Sequence, residues 1–144
     1  MSNVHFSSKT NEWCTPQKFF DDLNEEFGFT VDVCATEENA KCEKYYTKEQ
    51  DGLLQDWEGE IVWCNPPYGR EIKDWIKKAY VTIENCCVNT TIVMLIPSRT
   101  DTTYWHDYVM KASDIRFIRG RIKFGDGKNS APFPSAVVVF EKVI

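Results

Sequence analysis

The sequence contains 144 residues, of which 42% are hydrophobic and 27% charged, and its formal net charge is −5. This length suits one domain, expected to span residues 1–144, and the composition excludes the disordered and collagen-like classes. The longest apolar runs, TIVMLIP and AVVVF, are too short to cross a bilayer. No apolar signal-peptide core follows Met1, so we expect a cytoplasmic protein whose residues 1–12 are flexible.

The first predicted element is a helix over residues 15–28. Thr15 suits its N-cap, Pro16 its first helical position and Gly28 its C-terminal stop. The apolar side chains recur at the spacing of one helix face. They are Phe19, Phe20, Leu23 and Phe27.

The remaining predicted elements alternate between strands and helices. Strands are predicted over 29–35, 40–47, 60–64 and 90–97, and helices over 70–86 and 101–112. The run TTIVMLIP at 90–97 is apolar throughout, as expected of a strand in a sheet with both faces covered. Two last strands, at 115–124 and 134–142, are expected to pair as an antiparallel hairpin. The pattern predicts an α/β fold with a largely parallel sheet that the hairpin makes mixed.

Six cysteines and two histidines show no recognisable metal-binding pattern. Zinc sites usually contain a close pair of cysteines separated by a few residues, and that spacing is absent here. We therefore predict reduced structural thiols and no metal.

The stretch WCNPPYG, at residues 63–69, leaves a predicted strand through two prolines, which stiffen the chain and cannot extend a sheet. Asn65 offers a side-chain carbonyl and Pro66 a backbone carbonyl, so two acceptors can hold both hydrogens of a substrate amino group. Holding both N–H bonds localises the nitrogen lone pair and makes a conjugated amine a better nucleophile. Tyr68 can stack on a flat ring, while Pro66 and Pro67 keep the acceptors in place. The alternative is a proline-rich turn without a catalytic role.

This corner resembles the catalytic motif of amino methyltransferases that use S-adenosyl-L-methionine. Its leading asparagine is more similar to the adenine-N6 enzymes than to the cytosine-N4 enzymes. RNA and protein-glutamine amino methyltransferases carry similar motifs, so the corner alone leaves the substrate open. A non-catalytic nucleic-acid-binding module is a further alternative.

Other segments resemble the cofactor-binding parts of the same class. Asp32, Cys34 and Ala35 match the start of a loop that usually continues with glycines, but no glycine follows here, which leaves the loop geometry open. The resemblance implies that Asp32 binds ribose hydroxyls or the methionine ammonium group and that Asp51 brackets adenine. It implies a cofactor-binding set made of Trp13, Thr15, Pro16, Asp32, Cys34, Ala35, Asp51 and Asn65.

From Trp13 to Phe140 the chain resembles the compact phage-type (Dam-like) DNA adenine-N6 methyltransferases. The matching segments, in order, are WCTPQKFFDDLNEEFGFTVDVCATEENAKC, DGLLQDW, WCNPPYG, LIPSRTDTTYWHDYV, IRFIRGRIKFG and APFPSAVVVF. The resemblance implies a Rossmann-like methyltransferase fold, S-adenosylmethionine as cofactor and double-stranded DNA as substrate. It also implies a phage or prophage origin, hence the host cytoplasm and a link to restriction-modification. A chain this short leaves sequence reading to short loops or to the partner in a homodimer.

Residues 116–128 are basic although the whole chain is acidic. We predict phosphate contacts from this stretch and from Arg99, which follows the strand at 90–97, while Phe124 or Phe133 would line a base pocket. The alternatives are a solvated hairpin face and ion pairs between Arg99 and neighbouring aspartates. The predicted DNA-binding set is Arg99, Arg119, Arg121, Lys123, Phe124 and Lys128.

Overall fold

A computed structural model describes residues 13–125 and 127–144. The segment expected to be flexible, residues 1–12, lies outside the described residues. The helices are α1 (Gln17–Phe27), α2 (Ile72–Asn85) and α3 (Thr103–Asp107). The strands are β1 (Val31–Asp32), β2 (Ile61–Cys64), β3 (Thr90–Pro97), β4 (Asp114–Phe117) and β5 (Ser135–Lys142).

The five strands form one mixed sheet in the order β1-β2-β3-β5-β4. The first three strands are parallel neighbours, with Cys64 beside Met94 where β2 meets β3. The last two are antiparallel, β5 pairing with β3 on one side and with β4 on the other. The predicted antiparallel pairing of the C-terminal strands is therefore confirmed.

Both faces of β3 are covered, as its continuous apolar sequence predicted. Ile92, Met94 and Ile96 belong to a buried cluster with α2 and α3. Val93 and Leu95 belong to a second cluster, on the α1 side of the sheet. Alternate residues of one strand thus fill two hydrophobic layers, and the sheet lies between them. None of the described helices is long and apolar enough to cross a membrane.

Helix α1 ends as predicted but begins differently. Gly28 closes it in the left-handed conformation, with φ 71°, and donates its backbone N–H to the carbonyl of Asn24 at 2.8 Å. Pro16, rather than Thr15, occupies the N-cap position and supplies no side-chain cap. The prediction of a Thr15 cap was wrong because its hydroxyl accepts a hydrogen bond from Asn65 instead.

The strand predicted over 115–124 is too long. β4 ends at Phe117, and Gly120 then adopts a left-handed conformation with φ 76°, which breaks the extended backbone. Residues 118–125 and 127–134 belong to a loop across the α1 side of the sheet, called the loop at 118–134 below. The apolar alternation that suggested a strand instead reflects Ile122 and Phe124 packing into the core, where Ala131 and Phe133 of the same loop join them.

Three other predicted elements are shorter than expected. The strand over 29–35 shrinks to β1, and the strand over 40–47 reduces to one isolated parallel bridge between Asp32 and Tyr45. The helix over 101–112 divides into α3 and a 3-10 turn at Val109–Lys111. Thr102 caps α3 by accepting a hydrogen bond from the backbone N–H of Trp105 at 3.3 Å.

Gly52 lies where two parts of the core approach closely. A Cβ atom there would be 2.0 Å from the carbonyl oxygen of Val33 and 3.0 Å from the ring of Trp75. We expect Gly52→Ala to lower the free energy of unfolding by about 3 kcal/mol or more, because the backbone at Val33, directly after β1, must move. Chemical denaturation measures this loss.

Gly28→Ala is the matched control. A Cβ at Gly28 meets nothing within 4 Å, so that variant should lose only about 1 kcal/mol for its left-handed backbone. Equal losses for the two variants would contradict the close approach at Gly52.

Candidate active site

The carboxyl ends of β1 and β2 lie side by side because the two strands are parallel neighbours. A cavity of about 620 Å³ opens at this edge of the sheet. Its wall includes the four predicted catalytic residues, Asn65, Pro66, Pro67 and Tyr68. It also includes most of the predicted cofactor-binding residues, namely Trp13, Thr15, Asp32, Cys34, Ala35 and Asp51. Pro16 is not part of the wall and serves as the N-cap of α1.

The side-chain amide of Asn65 is held in one orientation. Its Nδ2 donates to the backbone carbonyl of Trp13 at 2.7 Å and to the hydroxyl of Thr15 at 3.0 Å. A backbone carbonyl only accepts hydrogen bonds, so the amide nitrogen must face it. The opposite atom, Oδ1, is buried and has no hydrogen-bond partner among residues 13–125 and 127–144. Buried acceptors usually have a partner, and this one belongs to a residue of the cavity wall.

Tyr68 lies at the centre of a cluster of aromatic rings. Trp13 stacks on it, with ring centroids 6.1 Å apart and planes 26° apart. Phe133 and Phe124 meet its edge at centroid distances of 5.5 and 6.3 Å. The phenol hydroxyl donates to the carbonyl of Leu95 at 3.3 Å, which ties the ring to β3. Burial raises the pKa of Tyr68, so the hydroxyl stays neutral and the residue offers a flat apolar ring.

Asp32 is buried, and both of its carboxylate oxygens accept backbone hydrogen bonds from the loop that follows β1. Oδ1 accepts from the N–H of Cys34 at 3.2 Å, and Oδ2 accepts from the N–H of Lys41 at 3.0 Å. Burial raises the pKa of Asp32 to about 6, and these two hydrogen bonds oppose that rise. The carboxylate therefore fixes both ends of the loop at 34–41, besides lining the cavity.

The loop at 34–41 is also braced internally. Thr36 and Asn39 exchange hydrogen bonds, each side chain accepting from the backbone N–H of the other at 3.2 and 2.7 Å. The side-chain nitrogen of Asn39 also donates to Sγ of Cys14 at 3.3 Å. The short motif TEEN gives this reciprocal pattern, which the sequence analysis missed.

Further residues of the cavity wall come from outside the predicted set. Gly52 and Trp75 form an apolar part of the cavity wall, while Tyr46, Thr47 and Glu71 add polar groups to it. Asp51 sits at a positive φ of 54° and accepts from the backbone N–H of Leu53 at 3.1 Å. The glycine of QDGLLQDW was the available signal, because only a residue without Cβ fits against the carbonyl of Val33.

The predicted DNA-binding residues divide into a buried and an exposed group. Phe124 is buried against Trp13 in the aromatic cluster, whereas the cations at 119, 121, 123 and 128 are exposed. The guanidinium of Arg121 donates to the carbonyl of Ala131 at 3.3 Å, which closes the loop at 118–134. Arg99 lies over the ring of Phe133 at 5.8 Å rather than in an ion pair with a neighbouring aspartate.

The cysteines of the described residues are all free, and Cys34 lies in the cavity wall. Burial raises the pKa of the Cys34 thiol to about 12, so this thiol is not a nucleophile at neutral pH. Within residues 13–125 and 127–144, no three His, Cys, Asp or Glu side chains are grouped in a way that could hold a metal ion.

Comparison with known proteins adds an independent observation. The family model described as DNA N-6-adenine-methyltransferase (Dam) matches residues 2–142. A DNA N-6-adenine-methyltransferase of Haemophilus phage HP1 (strain HP1c1) is 31% identical over 148 residues, which cover 97% of this chain and 83% of that protein. A DNA N-6-adenine-methyltransferase of Escherichia phage T1 is 34% identical over 108 residues, which cover 74% of this chain and 44% of that protein.

The raised pKa of Asp32 gives a prediction about stability. Because this pKa rises from its ordinary 3.8 to about 6 on folding, the stabilisation linked to protonated Asp32 is full below pH 3.8 and is lost by about pH 6. Asp32→Asn does not titrate, so the unfolding free energy of the wild type minus that of the variant should fall over this range. Urea denaturation from pH 4 to pH 8 measures the difference.

Asp21→Asn, on the exposed side of α1, controls for the loss of one carboxyl group. A wild-type advantage over Asp32→Asn that grows from pH 4 to pH 6 would contradict the raised pKa.

Proposed function

The chain belongs to the DNA N-6-adenine-methyltransferase (Dam) family, and we infer that it methylates the N6 amino group of adenine in DNA. The observation that carries this reading of the site is the buried Oδ1 of Asn65, which has no hydrogen-bond partner within the part of the chain that the structure describes. An acceptor held in this way at a strand end suits an amino group that arrives with two hydrogens to donate.

We propose S-adenosyl-L-methionine as the methyl donor, bound in the cavity beside Asn65. The cavity volume of about 620 Å³ lies within the usual range for small-molecule sites, and its wall mixes apolar surfaces with a few polar groups. Asp32, Thr47 and Glu71 would hold the ribose hydroxyl or methionine ammonium groups, and Asp51 would bracket the adenine ring beside Ala35 and Trp75. When bound, this cofactor supplies an electrophilic methyl group and departs as a neutral thioether.

The target adenine must leave the duplex to reach the site, because its amino group is otherwise paired and stacked. Tyr68 stacks on the flipped base, and Oδ1 of Asn65 and the carbonyl of Pro66 accept its two amino hydrogens. These bonds draw the nitrogen toward tetrahedral geometry and direct its lone pair at the methyl group. Proximity and orientation then provide much of the rate, and the surplus proton leaves to solvent.

We propose that double-stranded DNA binds across the loop at 118–134. Arg119 and Lys123 are exposed on this loop, and Phe124 and Phe133 of the same loop face the aromatic cluster around Tyr68. Arg99 lies over Phe133 and would meet a phosphate close to the flipped base. Arg121 and Lys128 complete the proposed DNA-binding set.

The fold class, the oligomeric state and the origin of the protein are further proposals. We propose a single Rossmann-like methyltransferase domain, with sequence reading supplied by its loops or by a second copy in a homodimer. A phage or prophage origin, and hence work in the host cytoplasm, follows from the resemblance to phage enzymes, and protection from restriction would be its use.

Asn65→Ala should lower methyl transfer by about a hundredfold or more, because it removes a preorganised acceptor at the reacting nitrogen. Sequencing of methylated bases in DNA from cells expressing each variant, and mass spectrometry of DNA treated with purified protein, measure the loss. Adenine marks that survived the substitution unchanged would contradict the proposed role.

Tyr68 provides a matched pair of variants. Tyr68→Phe keeps the ring and loses only the hydrogen bond to Leu95, so this variant should keep most of the methyl-transfer activity, whereas Tyr68→Ala should lose that activity.

Parallel assays with DNA, RNA and protein test the substrate. Label transferred only to RNA or protein would overturn the DNA assignment.

Arg119→Ala and Lys123→Ala should weaken binding to all DNA sequences alike, if these exposed side chains contact phosphates. Each substitution should reduce the magnitude of the slope of log K against log salt concentration by about 1, where K is the association constant for DNA. Fluorescence anisotropy at several salt concentrations measures the slope. Lys18→Ala, which removes an exposed cation paired with Asp22 on α1, is the control and should leave the slope unchanged. A slope that also stayed constant in the loop variants would exclude these contacts.

A further inference from the structure

We propose that Thr15 is a positioning residue that holds the amide of Asn65 in its reactive orientation. The inference rests on the proposed function of the site. The resemblance of WCTP to a cofactor-binding segment implied contact with the cofactor, but the structure joins Thr15 to the catalytic amide. Its hydroxyl accepts from Nδ2 of Asn65 at 3.0 Å, and the residue is 5% exposed.

An amide can rotate by half a turn about its last bond and exchange its oxygen with its nitrogen. At Asn65 the wrong orientation would set Oδ1 against the carbonyl of Trp13, which has no proton to donate. The hydroxyl of Thr15 can donate as well as accept, so the carbonyl of Trp13 selects the orientation and the bond to Thr15 restrains the amide in it. Together the two contacts engage both hydrogens of Nδ2 and leave Oδ1 for the substrate.

The segment at 13–15 is itself anchored on two sides. Sγ of Cys14 accepts from the side chain of Asn39 in the loop after β1, at 3.3 Å. The carbonyl of Cys14 accepts from the backbone N–H of Gly125, in the loop at 118–134, at 3.0 Å. The segment therefore bridges the proposed cofactor side and the proposed DNA side, and these anchors fix the hydroxyl that Asn65 uses.

The two roles of Thr15 predict different kinetic effects. A residue that only contacts the cofactor would change the cofactor affinity when altered. A residue that orients Asn65 would change the rate of methyl transfer at saturating cofactor and DNA, because the acceptor acts on the reacting nitrogen. A single-turnover measurement isolates that step from product release.

The experiment compares Thr15→Val, which keeps the shape of the side chain and loses the hydroxyl, with Thr15→Ser, which keeps the hydroxyl. We expect Thr15→Val to lower the single-turnover rate constant roughly tenfold, the effect of one lost hydrogen bond. Cofactor affinity, measured by calorimetry, should change by less than about twofold if the amide is the main partner. Thr15→Ser should retain the wild-type rate.

Nuclear magnetic resonance gives a readout that does not depend on activity. In the ¹⁵N-labelled protein, the side-chain amide protons of Asn65 are assigned by their loss in Asn65→Asp. Thr15→Val should shift one of the two signals upfield and speed its exchange with solvent, and Thr15→Ser should not. Should Thr15→Val fail to fold in thermal denaturation, Thr15→Ala takes its place in both measurements.

The outcomes separate the inference from the proposed function. An active wild type with an unchanged rate in Thr15→Val, or a loss confined to cofactor affinity, would overturn the positioning role. Unchanged Asn65 amide signals in Thr15→Val would also overturn it. A wild type that methylates no adenine in DNA would instead overturn the proposed function, while the amide signals would still test the geometry.

Discussion

The site depends on one constraint, the orientation of the Asn65 amide. Both hydrogens of its nitrogen are bonded to the segment at 13–15, and its carbonyl oxygen is buried with no hydrogen-bond partner among the described residues. Leaving such a group unpaired costs about 1–3 kcal/mol, which the surrounding packing must offset. The two prolines and the end of β2 hold the backbone, and the segment before α1 holds the side chain. A substrate amino group would recover the lost hydrogen bond, so an acceptor that costs stability in the free protein favours binding in the complex.

The loop after β1 shows how the cavity is formed without the glycines that the resemblance led us to expect. Asp32 accepts from two backbone N–H groups, at Cys34 and Lys41, and so closes the loop around its own carboxylate. Thr36 and Asn39 then brace the turn between them. The residue that lets two backbone segments approach closely is instead Gly52, where a Cβ atom would collide with the carbonyl oxygen of Val33. Side-chain hydrogen bonds and one remote glycine thus shape the cavity wall here.

The sequence predicted the elements whose signals are local. The apolar runs of β2, β3 and β5, the amphipathic face of α1 and its Gly28 stop all lie where their patterns indicated. The role of Thr15 could not be predicted, because a good N-cap and a partner for an amide fifty positions away look alike in sequence. Residues 118–124 were misread as part of a strand for a related reason, since alternating apolar residues indicate which side chains are buried but not whether the backbone pairs with another strand.

That alternation has a consequence for function. Ile122 and Phe124 face the core, while Arg121 and Lys123 between and beside them face solvent. On the proposed function, one stretch of chain therefore supplies rings for the base and cations for the phosphates. Because Gly125 is bonded to Cys14, a movement of this loop on DNA would act directly on the segment that orients Asn65. On the same proposal, the loop residues that would bind phosphates and the segment that would align the acceptor are joined by one backbone hydrogen bond, so a locally basic loop together with Arg99 would serve a chain that is acidic overall.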